Sequence, residues 1–573
     1  MKKTKIFFSI FAVIIIYFVI SLFSKVEAKY VLQEGIDINY NTSDYYFNIE
    51  TDKTEITSFP ATINVTVKNN DGTNFTDTDL KYTIGTNNDN YTVIANGGNT
   101  KTLKGGSNQE ETFEVTIDKK VDDISDSLQL VFNIETPYSD YKIAEIEVNE
   151  YVFRTEANDP DIKGFNKDST YYVTWTQDQT DTNLYNINDT KTINEVAPND
   201  WYNYTEGINK WANIKTTGGG NDCYWVWIPR YAYKVPTKSS TAQTIEIKFL
   251  QGKTNIPVGE TEEITNTTPT PNTWVVHPAF TNEGNGGFGE LKGIWVAKFE
   301  ASSNSPNVVE NPTANQLEHD GGSDTDIDLK IRVRPNVINW RGITVGNIFK
   351  VCQNLTTSGN SIESSTNIDS HMMKNTEWGA VAYLSRSKYG KNEVVWNNPY
   401  YHTVTNQSSI TGLCGKKEDS TQTTLNYTEG ATDQLYKYNT KGGTNASTTG
   451  NVYGIYDMAG GSGDCVAGIL SSRLSYNTYY DFTDIDKKYY DSYISYTNAK
   501  YGDAVYETST NSNYSTSWEA GTSYFVRDTV PVFTRGGYAG HGAGAGIFGF
   551  FYHDGNAHTA FGFRPCVVNG QLN

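Results

Sequence analysis

The sequence predicts three kinds of structure in series: a hydrophobic N-terminal helix, an all-β sandwich and a larger α+β head. Three observations carry this. An apolar run fills Ile6–Phe23, residues 30–153 alternate apolar and polar with period two, and two helical patterns lie among aromatic strands and glycine-rich loops further on. At 573 residues the chain is too long for one ordinary domain.

The first element opens on the basic "MKKTK" and continues as "IFFSIFAVIIIYFVISLF". Spanning a bilayer takes ~20 apolar residues with a lower limit of ~17, whereas a secretory h-region holds only ~7–15. The run reads as an uncleaved anchor, and "VEA" at Val26–Ala28 keeps a cleaved signal open. In both cases the basic side stays in the cytoplasm, so everything after Lys29 is expected outside. The expected location is the extracellular face of the membrane, or the medium after signal cleavage. The expected division is a signal/anchor segment at 1–29, a sandwich at 30–153, a linker at 154–198 and a head at 199–573.

In the second element "ATINVTVKNN" puts Ile63, Val65 and Val67 on one face. Phe113, Val115 and Ile117 do the same, as do Leu128, Leu130, Phe132 and Ile134. Loops such as "ANGGNTKTLKGGSN" separate these runs. Short alternating strands punctuated by turn signals predict an immunoglobulin-like antiparallel sandwich. It holds no catalytic cluster and reads as a spacer. "RTEANDPDIKGFNKDST" then reads as a linker.

The head begins with aromatic strands. Trp225, Trp227 and Tyr231 alternate as in a half-buried strand, and "GIWVAKFEAS" repeats the style. "ITVGNIFKVCQNLT" has helical spacing at Ile343, Ile348 and Val351. "DSHMMKNTEWGAVAYLSRSKYG" predicts a second helix, with Asp369 or Ser370 as cap and Gly390 as its end.

Composition excludes some functions. A net charge of −20 gives no basic surface for phosphates, so no nucleic-acid partner is expected. The five cysteines form no CxxC pair, which argues against a zinc knuckle. Acidic runs such as "DTDID" read as solvated loops, and there is neither a G-x-S-x-G nor a phosphate loop.

The closing stretch, "RGGYAGHGAGAGIFGFFYHDGNAHTAFGFRPCVV", is the most informative. It contains three of the seven histidines, and between Gly537 and Phe563 it has no Lys, Glu, Gln, Trp or Met. It is either a catalytic pocket or a display surface. Phe548, Phe550 and Phe563 also have the period of core residues. His541, His553 and His558 match no zinc spacing.

Several stretches in order resemble the formylglycine-generating, or sulfatase-modifying-factor, branch of the C-type lectin fold. They are "WVAKFEAS", "RPNVINW" with the "FKVC" helix, "MMKNTEWGAVAY", "NVYGIYDMAGG", and the final "RGG" and "GFR". The resemblance spans about Asn199 to Val568 and implies an α+β C-type-lectin-like head. That family's oxidase works through a cysteine pair before the final G-F-R, where this chain has "GIFGFFYHDGNAHTA". Thiolate chemistry needs a sulfur there, so the chain is expected not to be an enzyme. The resemblance also suggests a Cys352–Cys566 disulfide, although Pro565 shifts the register by one residue. It brings calcium into view at Gly461, Ser462, Gly463 and Asp464. Gly461 has no side-chain oxygen and Asp464 is short, so calcium stays open but unfavoured, and no metal or cofactor is expected.

The closing layout also resembles the variable receptors of diversity-generating retroelements. There, adenine-directed mutagenesis cannot create Lys, Glu, Gln, Trp or Met. On that resemblance Arg535, Gly536, Gly537, Gly562, Phe563 and Arg564 are framework. Tyr538, His541, Phe548, Phe550, Tyr552, His553, Asp554, Asn556 and His558 are the expected ligand-binding side chains. The expectation is a cell-surface binding protein for an extracellular protein or glycan. The alternatives are a sulfatase-modifying-type oxidase and a structural surface or pilus-like component.

Overall fold

A computed structural model describes residues 47–569, apart from intervals such as 121–127, 151–156, 311–323, 401–409, 416–434 and 506–512. The expected anchor at 1–29 lies outside the described residues. Among the described residues no helix is long and apolar enough to cross a membrane. The expected membrane anchoring and extracellular placement therefore find no support. The chain divides into two compact units, 1–153 and 154–573.

The first unit is a two-sheet β-sandwich. One sheet runs Asn48–Thr51, Ala61–Lys68, Glu110–Lys119, Tyr91–Ala95, and the other runs Glu55–Ile56, Tyr141–Glu150, Leu128–Ile134, Leu80–Thr86, Thr100–Leu103. Along Ala61–Thr66, buried and less buried positions alternate, as period two requires when one face of a strand packs inward. Ile63, Val65 and Val67 meet Val115, Ile117, Leu130 and Phe132 in a core closed to solvent. Each such side chain contributes about 1.5–3 kcal/mol by leaving water.

One buried polar group organises the loops at this core's edge. The Asn69 amide donates to the carbonyls of Thr76 (2.7 Å), Lys104 (3.0 Å) and Gly106 (3.3 Å), and its oxygen accepts from the Thr76 N–H at 2.7 Å. Asn69→Ala would strand these groups away from water. We expect it to destabilise the first unit by about 1–3 kcal/mol in chemical denaturation.

The second unit corrects the expected α+β C-type-lectin-like head. Among the described residues the structure is mostly β, at 34% strand and 12% helix, with no long helix. The two main helices are Val345–Gln353 and the eleven-residue Asn375–Ser385. The second is shorter than the sequence suggested because Ile368–Met372, the expected capping region, is a strand paired with Pro565–Asn569. All of Asn375–Ser385 is buried, which is why it lacks an amphipathic stripe. Glu377 closes its first turn by accepting from the Lys374 N–H at 2.8 Å.

An antiparallel sheet runs Tyr185–Asn188, Thr170–Gln177, Asn213–Thr216, Cys223–Pro229, Gly293–Ala297, Pro565–Asn569, Ile368–Met372. Trp225 and Trp227 sit in an interior strand and are fully buried, not half-buried as alternation suggested. The expected linker at 154–198 is part of this unit. It supplies two strands, and the indoles of Trp227 and Trp295 donate to the carbonyls of Asn158 (3.2 Å) and Asp161 (2.7 Å).

A second sheet runs Asp491–Tyr493, Gly463–Leu470, Val532–Arg535, Phe550–His553, Thr522–Tyr524, Asn513–Thr516. Phe561–Phe563 adds to it in parallel with Gly463–Cys465. All five cysteines are buried free thiols, so the expected Cys352–Cys566 disulfide is absent. Cys566 lies instead against the Glu377 carboxylate, which together with burial raises its pKa.

Candidate functional site

The tail is built on two buried arginines. Arg535 ends the Val532–Arg535 strand and donates to Asn375 Oδ1 (2.9 Å) and to the carbonyls of Asp503 (2.7 Å), Ala504 (3.2 Å) and Gly549 (3.2 Å). Burial lowers its pKa to about 10, so it stays charged at neutral pH. Arg564 donates to the carbonyls of Ala297 (2.8 Å) and Tyr456 (3.0 Å) and pairs with Asp464 at 3.2 Å. It thereby ties the first sheet to the second. Gly536 and Gly537 have φ of +78° and +68°, a left-handed bend that favours glycine. Gly562 and Phe563 are buried, and Phe563 packs on Trp340 at 5.7 Å.

Beneath this frame lie three buried carboxylates, Glu300, Asp457 and Asp464. Burial pushes Asp464 up to about 6 even with Arg564 beside it, and raises Glu300 and Asp457 as well. Glu300 accepts from Asn339 and, at 2.8 Å, from the Ser462 N–H. A Cβ on Gly461 would come within 2.5 Å of a Glu300 oxygen. The Gly461–Asp464 stretch thus packs against Glu300. Among the described residues no group of three or more His, Cys, Asp or Glu is arranged to hold a metal ion.

The expected contact residues divide into two sets. Phe548 and Phe550 are core, which corrects their assignment to the surface. Phe548 packs on Trp518 at 5.3 Å, and Phe550 on Phe525 at 5.0 Å. His553 is also buried, at 6% exposure. Tyr538, His541, Tyr552, Asp554 and Asn556 are half-buried, and His558 is exposed.

The structure adds Tyr524, Arg527, Phe551 and Phe561, which sequence reasoning missed. Phe551 and Tyr552 are both half-exposed, so strict alternation through Phe548, Phe550 and Tyr552 misplaces the face. The rings form a chain. Tyr538 meets His541 at 4.1 Å, His541 stacks on Phe551 at 4.3 Å, and Phe551 meets Tyr524 at 4.5 Å. Tyr524 then meets Tyr552 at 5.6 Å, whose ring lies 4.6 Å under the Arg527 guanidinium. On the other side Phe561 meets His553 at 4.6 Å and His558 at 5.1 Å.

Each of the three histidines accepts a backbone N–H at Nδ1. His541 takes that of Tyr538 (3.3 Å), His553 that of Gly555 (3.0 Å) and His558 that of Ala560 (3.1 Å). This role requires neutral imidazole. Burial lowers all three pKa values, to about 4 for His541 and His553.

No family model matches the chain, and no curated protein matches it. Among solved structures, the cupredoxin domain of amoB from Nitrosocaldus yellowstonii is similar at 8% identity over 19% of this chain and 89% of that one, with a TM-score of 0.15. A lipoprotein from Bacteroides thetaiotaomicron is similar at 15% identity over 23% of this chain and 91% of that one, also at 0.15. The E. coli chaperone DraB shares 15% identity over 24% and 67%, at 0.14. At these scores none bears on the fold or the site.

Two predictions follow from the geometry. Arg564→Leu would leave Asp464 buried without its cation, so we expect a loss of about 3–5 kcal/mol in denaturation of the full chain. The second concerns acid. An unfolded histidine protonates near ~6.5, well above the folded value of His553, so the unfolded chain takes up protons first as pH falls. The stability contributed by neutral His553 is complete above pH ~6.5 and is lost progressively toward its folded value of about 4. Asp464 titrates in the opposite sense over part of this range, so the measurement is the difference between wild type and His553→Gln. That difference in unfolding free energy should narrow from neutral pH to pH 4.5.

Proposed function

We propose that this protein is a non-catalytic binding protein whose contact surface is the aromatic patch around Tyr538, His541, Phe551 and Tyr552. The observation that carries the reading is a continuous run of half-exposed rings mounted on a frame of fully buried arginines. Tyr, Phe and Arg supply large contact area, and rings that already pack on one another lose little freedom on binding. The ligand class that fits is a protein surface offering apolar groups and hydrogen-bond acceptors. The thiols support the non-catalytic part. Burial pushes Cys223 and Cys414 up to about 12, so both are protonated at neutral pH and poor nucleophiles. The resemblance to retroelement-diversified receptors supports a further part of the reading, in which the exposed positions vary while Arg535 and Arg564 stay fixed.

The test uses the full chain and a Tyr538→Ser/Phe551→Ser/Tyr552→Ser variant on a protein array. We expect specific wild-type binders whose signal falls by about thirtyfold or more in the variant, the scale of losing one strong contact residue. An unchanged thermal unfolding midpoint would show that the variant is folded. Binders that ignore the triple substitution overturn the reading.

A further inference from the structure

The second unit contains a cavity of about 700 Å³ that shares no lining residue with the aromatic patch. This volume lies in the range of small-molecule sites, roughly 300–1,000 Å³. Its wall comes from three separated stretches, around Tyr202–Glu206, Thr244–Phe249 and Lys388–Tyr389, with Val258, Glu260 and Trp274 completing the rim.

Five of the lining side chains are aromatic: Tyr202, Tyr204, Phe249, Trp274 and Tyr389. Tyr204 packs against Phe249 at 5.8 Å, and Phe249 against Tyr389 at 4.6 Å. The Tyr204 hydroxyl donates to the Trp227 carbonyl (2.8 Å) and accepts from the Ala212 N–H (3.0 Å). The Tyr202 hydroxyl donates to Asp159 at 2.6 Å. Rings pinned in this way need no reordering to receive a ligand.

The charges at the cavity are already matched. Lys248 pairs with Glu260 at 2.6 Å, Lys388 with Glu206 at 3.0 Å, and Glu246 with Lys234 at 2.8 Å. Lys248 also lies 5.0 Å from the Trp274 ring centre, and Lys388 5.0 Å from that of Tyr389. An organic cation would compete with these ammonium groups for the rings. An anion would have to displace a glutamate from each lysine it approached. A neutral ligand meets neither obstacle. Each Lys–Glu pair offers a donor and an acceptor side by side, which matches adjacent hydroxyls, each able to donate and to accept. The remaining ring surface matches apolar C–H faces. A sugar ring has both properties.

From this combination we infer that the cavity is a binding site for a neutral oligosaccharide, separate from the proposed protein-binding patch. Its size suits a few sugar units.

The test is calorimetric titration of the full chain with neutral gluco-, xylo-, manno- and chito-oligosaccharides, alongside a sulfated oligosaccharide and a quaternary ammonium compound. We expect saturable binding of at least one neutral series. Trp274→Ala and Glu260→Gln, both on the accessible rim, should each weaken it at least tenfold. The triple substitution in the aromatic patch should leave it unchanged, so failure here is distinguishable from failure of the protein-binding reading. Absence of binding to every neutral series overturns the inference. So does binding that survives both rim substitutions, or preference for the sulfated or cationic probe.

Discussion

The second unit depends on the buried guanidinium of Arg564. It reaches a carbonyl in the first sheet, a carbonyl in the loop at Tyr456 and a carboxylate in the second sheet. A charge taken out of water is tolerated only when its donors are satisfied and a counter-charge lies beside it. Those conditions fix where Ala297, Tyr456 and Asp464 must sit. They also fix the chain just before Arg564, where Phe563 is buried and Phe561 half-exposed. With Arg535 held in the core ahead of Tyr538, the two arginines anchor both ends of the stretch that carries most of the patch.

The three carboxylates below this guanidinium show how narrow the solution is. A single cation cannot balance three anions in a water-poor interior, so burial raises the proton affinity of Glu300, Asp457 and Asp464. The raised values agree with the packing, because Asn339 and the Ser462 N–H supply hydrogen bonds but no charge. The site's polarity is thus carried by one guanidinium, carboxyl groups of raised proton affinity and amides. Its outer face is carried by rings and neutral imidazoles.

Much of the sandwich was legible in the sequence because strands such as Ala61–Lys68 bury one face and leave the other more exposed. Ala61–Lys68 shows its pattern as plainly in its letters as in its burial. The head was not legible to the same degree. Trp225 and Trp227 lie in a strand buried on both faces, where alternation disappears. Asp369 and Ser370 suggested a helix cap, yet a partner nearly two hundred residues away draws them into a sheet. In the tail, histidines and tyrosines drew attention to the stretch that carries the rings, but Phe551 and Phe561 join them only through folding, by contacts with His541, Tyr524, His553 and His558. The cavity left no local signal, since its wall is gathered from distant stretches.

The placement of Pro565–Asn569 between Gly293–Ala297 and Ile368–Met372 has a temporal consequence. The two flanking strands emerge from the ribosome long before the one that joins them, so their edges must wait unpaired. The sandwich, whose partners all lie within its own stretch, can be complete by then. Chaperone demand during synthesis should therefore fall on the second unit and end only when the joining strand is released.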